Sequence, residues 1–126
     1  MYALFLVVVG GGIGAGIRHG MNIGAARLLG TEFPWGTFAI NVVGSFLIGI
    51  VAAWFAFRND AASQSLRLFL TTGILGGFTT FSAFSLDFAL LFERGEIMAA
   101  VWYVVGSVGL SLLAIFAGLW LMRSFA

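Results

Sequence analysis

Cysteine is absent, and histidine and proline each occur once. Without cysteine there is no disulfide framework and no thiolate metal site, and the single His19 has no second His or Cys with which to complete a metal site. Charge is scarce as well. Only 9% of the 126 residues are charged, against about a quarter in an ordinary soluble domain. A net charge of +1 gives no electrostatic footprint for nucleic acid. The few polar residues form no His/Asp/Ser set and no pair of carboxylates at usable spacing, so the chain is not expected to be an enzyme.

Apolar sequence fills the gap, at 61% of the residues. Four segments, Tyr2–Leu29, Phe33–Phe57, Leu68–Phe92 and Ile97–Met122, each exceed the ~20 residues that cross ~30 Å of hydrocarbon. The second and fourth carry no charge; the first holds Arg18 and His19, and the third holds Asp87. The connections Gly30–Glu32, Arg58–Arg67 and Glu93–Glu96 leave no room for a soluble domain. The first segment lacks a basic leader and is too long for a signal peptide. The reading is therefore an all-α membrane protein in which residues 1–126 form one four-helix transmembrane domain. Arg58, Arg67 and Arg123 fall on one side of the bilayer, with Arg27 and Arg94 on the other. That bias is too small to fix an orientation. Insertion in both orientations is expected, and an antiparallel two-fold dimer is the simplest assembly that uses both.

The third segment contains GILGGFTTFSAFS at Gly73–Ser85. Gly76-Gly77 and Thr79-Thr80 predict a break in the helix at mid-membrane, where only protein, ions or water can satisfy the exposed backbone. The half-helix after Thr80 would aim its positive end at the break, and the one before it would end in free carbonyls suited to a small cation. Phe78, Phe81, Phe84 and Phe88 follow at helical spacing. Phe78 and Phe88 read as packing; the edges of Phe81 and Phe84, next to the break, can receive an anion.

Two neutral polar stripes flank this element, Thr37, Asn41 and Ser45 in the second helix and Tyr103, Ser107 and Ser111 in the fourth. Each is either interhelical glue or the lining of a narrow wet path, and neutral hydroxyls leave the sign of the ion open. In the first helix, Gly12, Gly16, Gly20 and Gly24 read as a packing stripe. Arg18 either snorkels, pairs with Asp87 or makes a vestibule attractive to anions.

With GTFAINVVGSFLIG in the second helix, TTGILGGFTTFSAFS in the third and the Tyr/Ser ladder in the fourth, the chain resembles the Fluc/CrcB family of bacterial fluoride channels over essentially its whole length. The resemblance implies an antiparallel, dual-topology homodimer in the bacterial inner membrane. It implies passive, fluoride-selective efflux and a central sodium ion that is not transported. It places Asn41, Phe81, Phe84, Ser82, Thr37, Tyr103, Ser107 and Ser111 on the fluoride pathway, and Gly76 and Thr79 at sodium through their carbonyls. Arg18 matches an arginine common in the family's first helix. Ala83 and Asp87 depart from the family's usual threonine and glutamate. The competing reading is a small dual-topology exporter, either multidrug-type or a fluoride/proton antiporter. It needs a titratable group on the path, and the two stripes contain none.

Overall fold

A computed structural model describes residues 2–56, 58 and 60–125. Four helical stretches in it are long and apolar enough to cross a membrane. Helix α1 covers Tyr2–Leu29 and α2 covers Trp35–Phe55. The third stretch is composite. It begins as α3 (Ala61–Leu68), widens into a π-helical segment (Phe69–Leu75), returns to α4 (Gly76–Phe78), breaks, and resumes as α5 (Ser82–Glu93). Helix α6 covers Ile97–Phe125.

The helix ends follow from local chemistry. Gly30 closes α1 at φ +84°, a left-handed conformation that a side chain would strain. Gly95, at φ +80°, ends α5: its N–H bonds the Phe92 carbonyl and the Glu96 N–H bonds that of Leu91, the paired pattern of a glycine C-terminus. Pro34 stands just before α2 rather than in its first turn, and its carbonyl accepts from Phe38 N–H at 3.1 Å. The expected end of that span, Phe57, lies outside the described residues. The connection expected over Arg58–Arg67 is shorter than its polarity implied. Asp60 caps α3 by accepting from the Ser63 N–H and hydroxyl, at 3.1 and 2.8 Å, so the polar run is the exposed first turns of a helix. The Ser63 hydroxyl, then its N–H, hold the Asp60 carboxyl below its ordinary pKa.

Packing divides the third stretch between two neighbours. Its first half, through the π segment and α4, leans on α1, whereas α5 leans on α6. Helix α2 lies along α6 and touches both halves. Glycine permits each close approach. A side chain at Gly14 would meet the Ile74 carbonyl and lie 2.8 Å from the Phe78 nitrogen, and one at Gly77 would meet the Gly11 backbone. Gly49 and Gly118 play the same part between α2 and α6.

Within one copy of the chain the packing glycines are Gly10 and Gly14; Gly12, Gly16, Gly20 and Gly24, offset by two residues onto another face, meet nothing within 4 Å and face outward. The break falls at the expected Thr79-Thr80 pair, but Gly76-Gly77 does not break the helix. Both are helical, Gly77 serves α1, and the chain departs at Thr79, whose ψ is 159°.

Gly14→Ala pushes a methyl into backbone that cannot swing aside, and should cost about 1–3 kcal/mol. Gly12→Ala meets open space. Thermal unfolding of the two purified variants should show the first clearly destabilised relative to the second; equal melting would overturn this account of the packing.

Candidate functional site

The break spans Thr79–Phe81, between the last turn of α4 and the start of α5. Its upstream edge is anchored, because Phe78 and Leu75 are buried with Ile40 of α2 and the Thr79 methyl sits over Gly44. The extended backbone at Thr79 then carries the chain away from the helix axis, and the local hydrogen bonds are redistributed.

Asn41 takes both polar groups of Thr80. Its Nδ2 donates to the Thr80 carbonyl at 3.0 Å, and its Oδ1 accepts from the Thr80 N–H at 2.9 Å. In an unbroken helix that N–H would bond to the Gly76 carbonyl. The Ala83 N–H, which would serve the Thr79 carbonyl, instead donates to Thr80 Oγ1 at 3.2 Å. Both carbonyls expected at a cation thus lose their helical donors to side chains. From α1, Arg18 Nη1 comes to 3.5 Å of the Thr79 oxygen. Oxygen donors of this kind suit a hard cation such as sodium, and a two-fold partner would double their number.

A cavity of about 430 Å³ opens beside the break. Asn41, Gly44 and Ser45 of α2 line it, with Gly76, Thr79, Thr80, Phe81 and Phe84 from the third stretch and Ser107 and Ser111 of α6. Ser107 and Ser111 have buried Oγ atoms with no hydrogen-bond partner among the described residues. A buried hydroxyl left so costs about 1–3 kcal/mol, so these two donors are poised for a ligand. Phe81 is 77% exposed in the protomer and packs on Phe84 with ring centroids 5.6 Å apart.

Three residues expected on the pathway stand outside this lining. Thr37 is buried one turn before Asn41, and Ser82 is exposed at the start of α5, 3.4 Å from the Thr80 hydroxyl. Tyr103 is fully buried; its ring lies 5.0 Å from that of Phe84, and its hydroxyl donates to Asp87 Oδ2 at 3.1 Å. The hydroxyl ladder of α6 is therefore free only at Ser107 and Ser111. Asp87 consequently does not pair with Arg18. Because α1 packs on the first half of the third stretch and α5 on α6, the two charges are held apart: Arg18 reaches Thr79 and Asp87 reaches Tyr103. The break separates Phe78, packed with Leu75 and Ile40, from the later phenylalanines, of which Phe84 meets Phe81 and packs with Phe88 on the Leu91–Tyr103 cluster. Ser45, one turn after Asn41 on the same stripe, and Thr80 at the break both line the cavity.

Tyr103→Phe should destabilise the protein by about 1–3 kcal/mol, by leaving the intramembrane Asp87 carboxyl without its donor. In a double-mutant cycle with Asp87→Ala, unfolding free energies should be clearly less than additive. Additivity would show that the two side chains are not coupled.

Comparison with known proteins gives a consistent result. The family model described as CrcB-like protein, Camphor Resistance (CrcB), matches residues 5–119. A Mesorhizobium japonicum protein named fluoride-specific ion channel FluC is 60% identical over 124 residues, covering 98% of each chain. The Nitrobacter hamburgensis protein named fluoride-specific ion channel FluC 2 is 59% identical over 118 residues, 94% of each. A Rhizobium etli protein of the former name is 55% identical over 126 residues, the whole of both chains.

Proposed function

The chain belongs to the CrcB family, and on that premise we propose that it is a fluoride-specific channel through which the anion leaves the bacterial cytoplasm passively. The observation that carries this reading is the cavity at the broken third stretch. Neutral donors, Asn41, Ser107 and Ser111, share its lining with the rings of Phe81 and Phe84. Such a lining can replace part of an anion's hydration shell without holding it by full charge. A ring edge adds a weakly positive surface that no counter-ion needs to neutralise. Thr37, Ser82 and Tyr103 extend the path in this reading, with Tyr103 contributing its ring.

Passive flow is enough for protection. Hydrogen fluoride crosses membranes uncharged and ionises inside, and a membrane potential acts on the anion with about 2.3 kcal/mol per 100 mV. That corresponds to a roughly 50-fold gradient. An exporter coupled to protons needs a titratable group on the path. Asp87, the acid within the spans, is bonded to Tyr103 and does not line the cavity, which supports a channel over an antiporter.

The working unit in this reading is an antiparallel, dual-topology homodimer in the inner membrane. The near absence of arginine bias supports it, as does the exposure of Phe81, which leaves one side of the path to a second copy. Two breaks then meet at the axis, and the Gly76 and Thr79 carbonyls of both subunits hold one structural sodium ion. Arg18 reaches toward the Thr79 carbonyl, so its charge lies at the break and not in a vestibule.

Efflux from liposomes, read with a fluoride electrode and repeated with chloride, tests the function. Fluoride should pass and chloride should not; equal flux, or none, would sink the reading. Phe81→Ile should lower fluoride flux about tenfold, the equivalent of one ring-edge interaction of ~1.4 kcal/mol, while the protein still assembles.

A further inference from the structure

We propose that Asn41 is a positioning residue for the cation site, so that one amide couples the anion path to the ion that ties the subunits together. The inference rests on the reading that the Gly76 and Thr79 carbonyls hold sodium. Asn41 is not within the stretch that carries those carbonyls. It acts on them through Thr80, by taking the N–H that the Gly76 carbonyl would otherwise receive. At 2.9 Å this bond is a full one, and the return bond from Nδ2 at 3.0 Å fixes the amide in a single orientation.

The consequence follows from the surroundings. In hydrocarbon an N–H does not stay unpaired, and the nearest acceptor in sequence for that of Thr80 is the Gly76 carbonyl, one helical turn back. With Asn41 gone, α4 gains a turn and the Gly76 oxygen turns from cation donor to helix acceptor. The acceptor atom of Asn41, Oδ1, thus serves the cation. One N–H of Nδ2 holds the Thr80 carbonyl; the second faces no protein acceptor among the described residues and is the group that meets the anion path. The two functions sit on two atoms of one side chain and can be separated.

The test is sodium titration of the purified protein in a medium otherwise holding a large organic cation, with thermal stability of the dimer as the readout and fluoride flux measured alongside. Asn41→Leu removes both atoms and should weaken the apparent sodium affinity by about 10–100-fold, as loss of an outer-shell contact does. Asn41→Asp keeps an acceptor for the Thr80 N–H and removes the donor. At neutral pH and above it should retain sodium affinity at least equal to wild type while losing fluoride flux. Wild-type sodium affinity in Asn41→Leu would overturn the proposal. So would an affinity in Asn41→Asp that falls about 10–100-fold below wild type; this arm is read against wild type alone and so decides the matter even where the leucine variant fails to assemble. A wild-type protein indifferent to sodium would sink the cation reading itself, an outcome distinct from loss of the response in the variants only.

Discussion

Everything in this protein depends on a shortage: hydrocarbon offers no hydrogen bonds. A helix interrupted at mid-membrane must find partners for its loose N–H and C=O groups within the protein. Here one amide meets the central demand, since Asn41 takes both groups of Thr80. The Thr80 hydroxyl takes the Ala83 N–H, and Arg18 stands near the Thr79 carbonyl. Each of these contacts comes from a different place: the neighbouring helix, the break itself, and the first helix. Remove the requirement that every backbone group be satisfied, and the polar residues of these spans have no reason to converge.

The break is equally a matter of packing. Its first half is fastened to α1 through Gly14 and Gly77, its second to α6 through the cluster of Leu91, Ala100 and Tyr103. A straight helix cannot follow both. The π segment over Phe69–Leu75, where the Thr71 hydroxyl bonds the Arg67 carbonyl, already alters the helical register before the break. The same division explains why Arg18 and Asp87, the charged residues deepest in the spans, do not meet. Arg18 of α1 reaches the Thr79 carbonyl at the end of the first half, whereas Asp87, on the second half, is held by Tyr103 of α6.

Much of this was legible in the sequence, for identifiable reasons. Four apolar runs with short polar connections give four membrane helices because hydrocarbon thickness dictates length. The polar spacings of α2 and α6 point to the cavity, where Asn41, Ser45, Ser107 and Ser111 meet, because a four-residue repeat is nearly one helical turn. The Thr79-Thr80 pair does stand at the break; what sequence misplaced was the part of the glycines before it. Gly76-Gly77 reads as a weak point, yet Gly77 is a helical contact for α1, and the departure at Thr79 is held by a side chain almost forty positions away. Local propensity cannot show a partner that only folding supplies. Glycine in α1 shows the same limit: the helix has several glycine registers, and contact with the Ile74 and Phe78 backbone uses that of Gly10 and Gly14 within the chain. The sequence also hid that Tyr103 differs from the serines on its stripe, because its longer side chain carries the hydroxyl past them to Asp87.

That difference bears on how an anion can pass through so small a protein. The donors at the cavity, Ser107 and Ser111, are neutral and unpartnered, while the embedded carboxyl is capped by Tyr103 and kept out of the lining. A fixed negative charge on the path would repel an anion, and a fixed positive one would trap it. The protein places its intramembrane arginine beside a carbonyl instead. If, as proposed, the Gly76 and Thr79 carbonyls hold a cation, its donors are dipoles on the same stretch of backbone, and attraction for either ion comes from partial charges whose positions the break sets. On that reading small changes in the hydrogen bonding of Thr80 act on both sites together, and the asparagine–backbone pair is where ion passage and assembly meet.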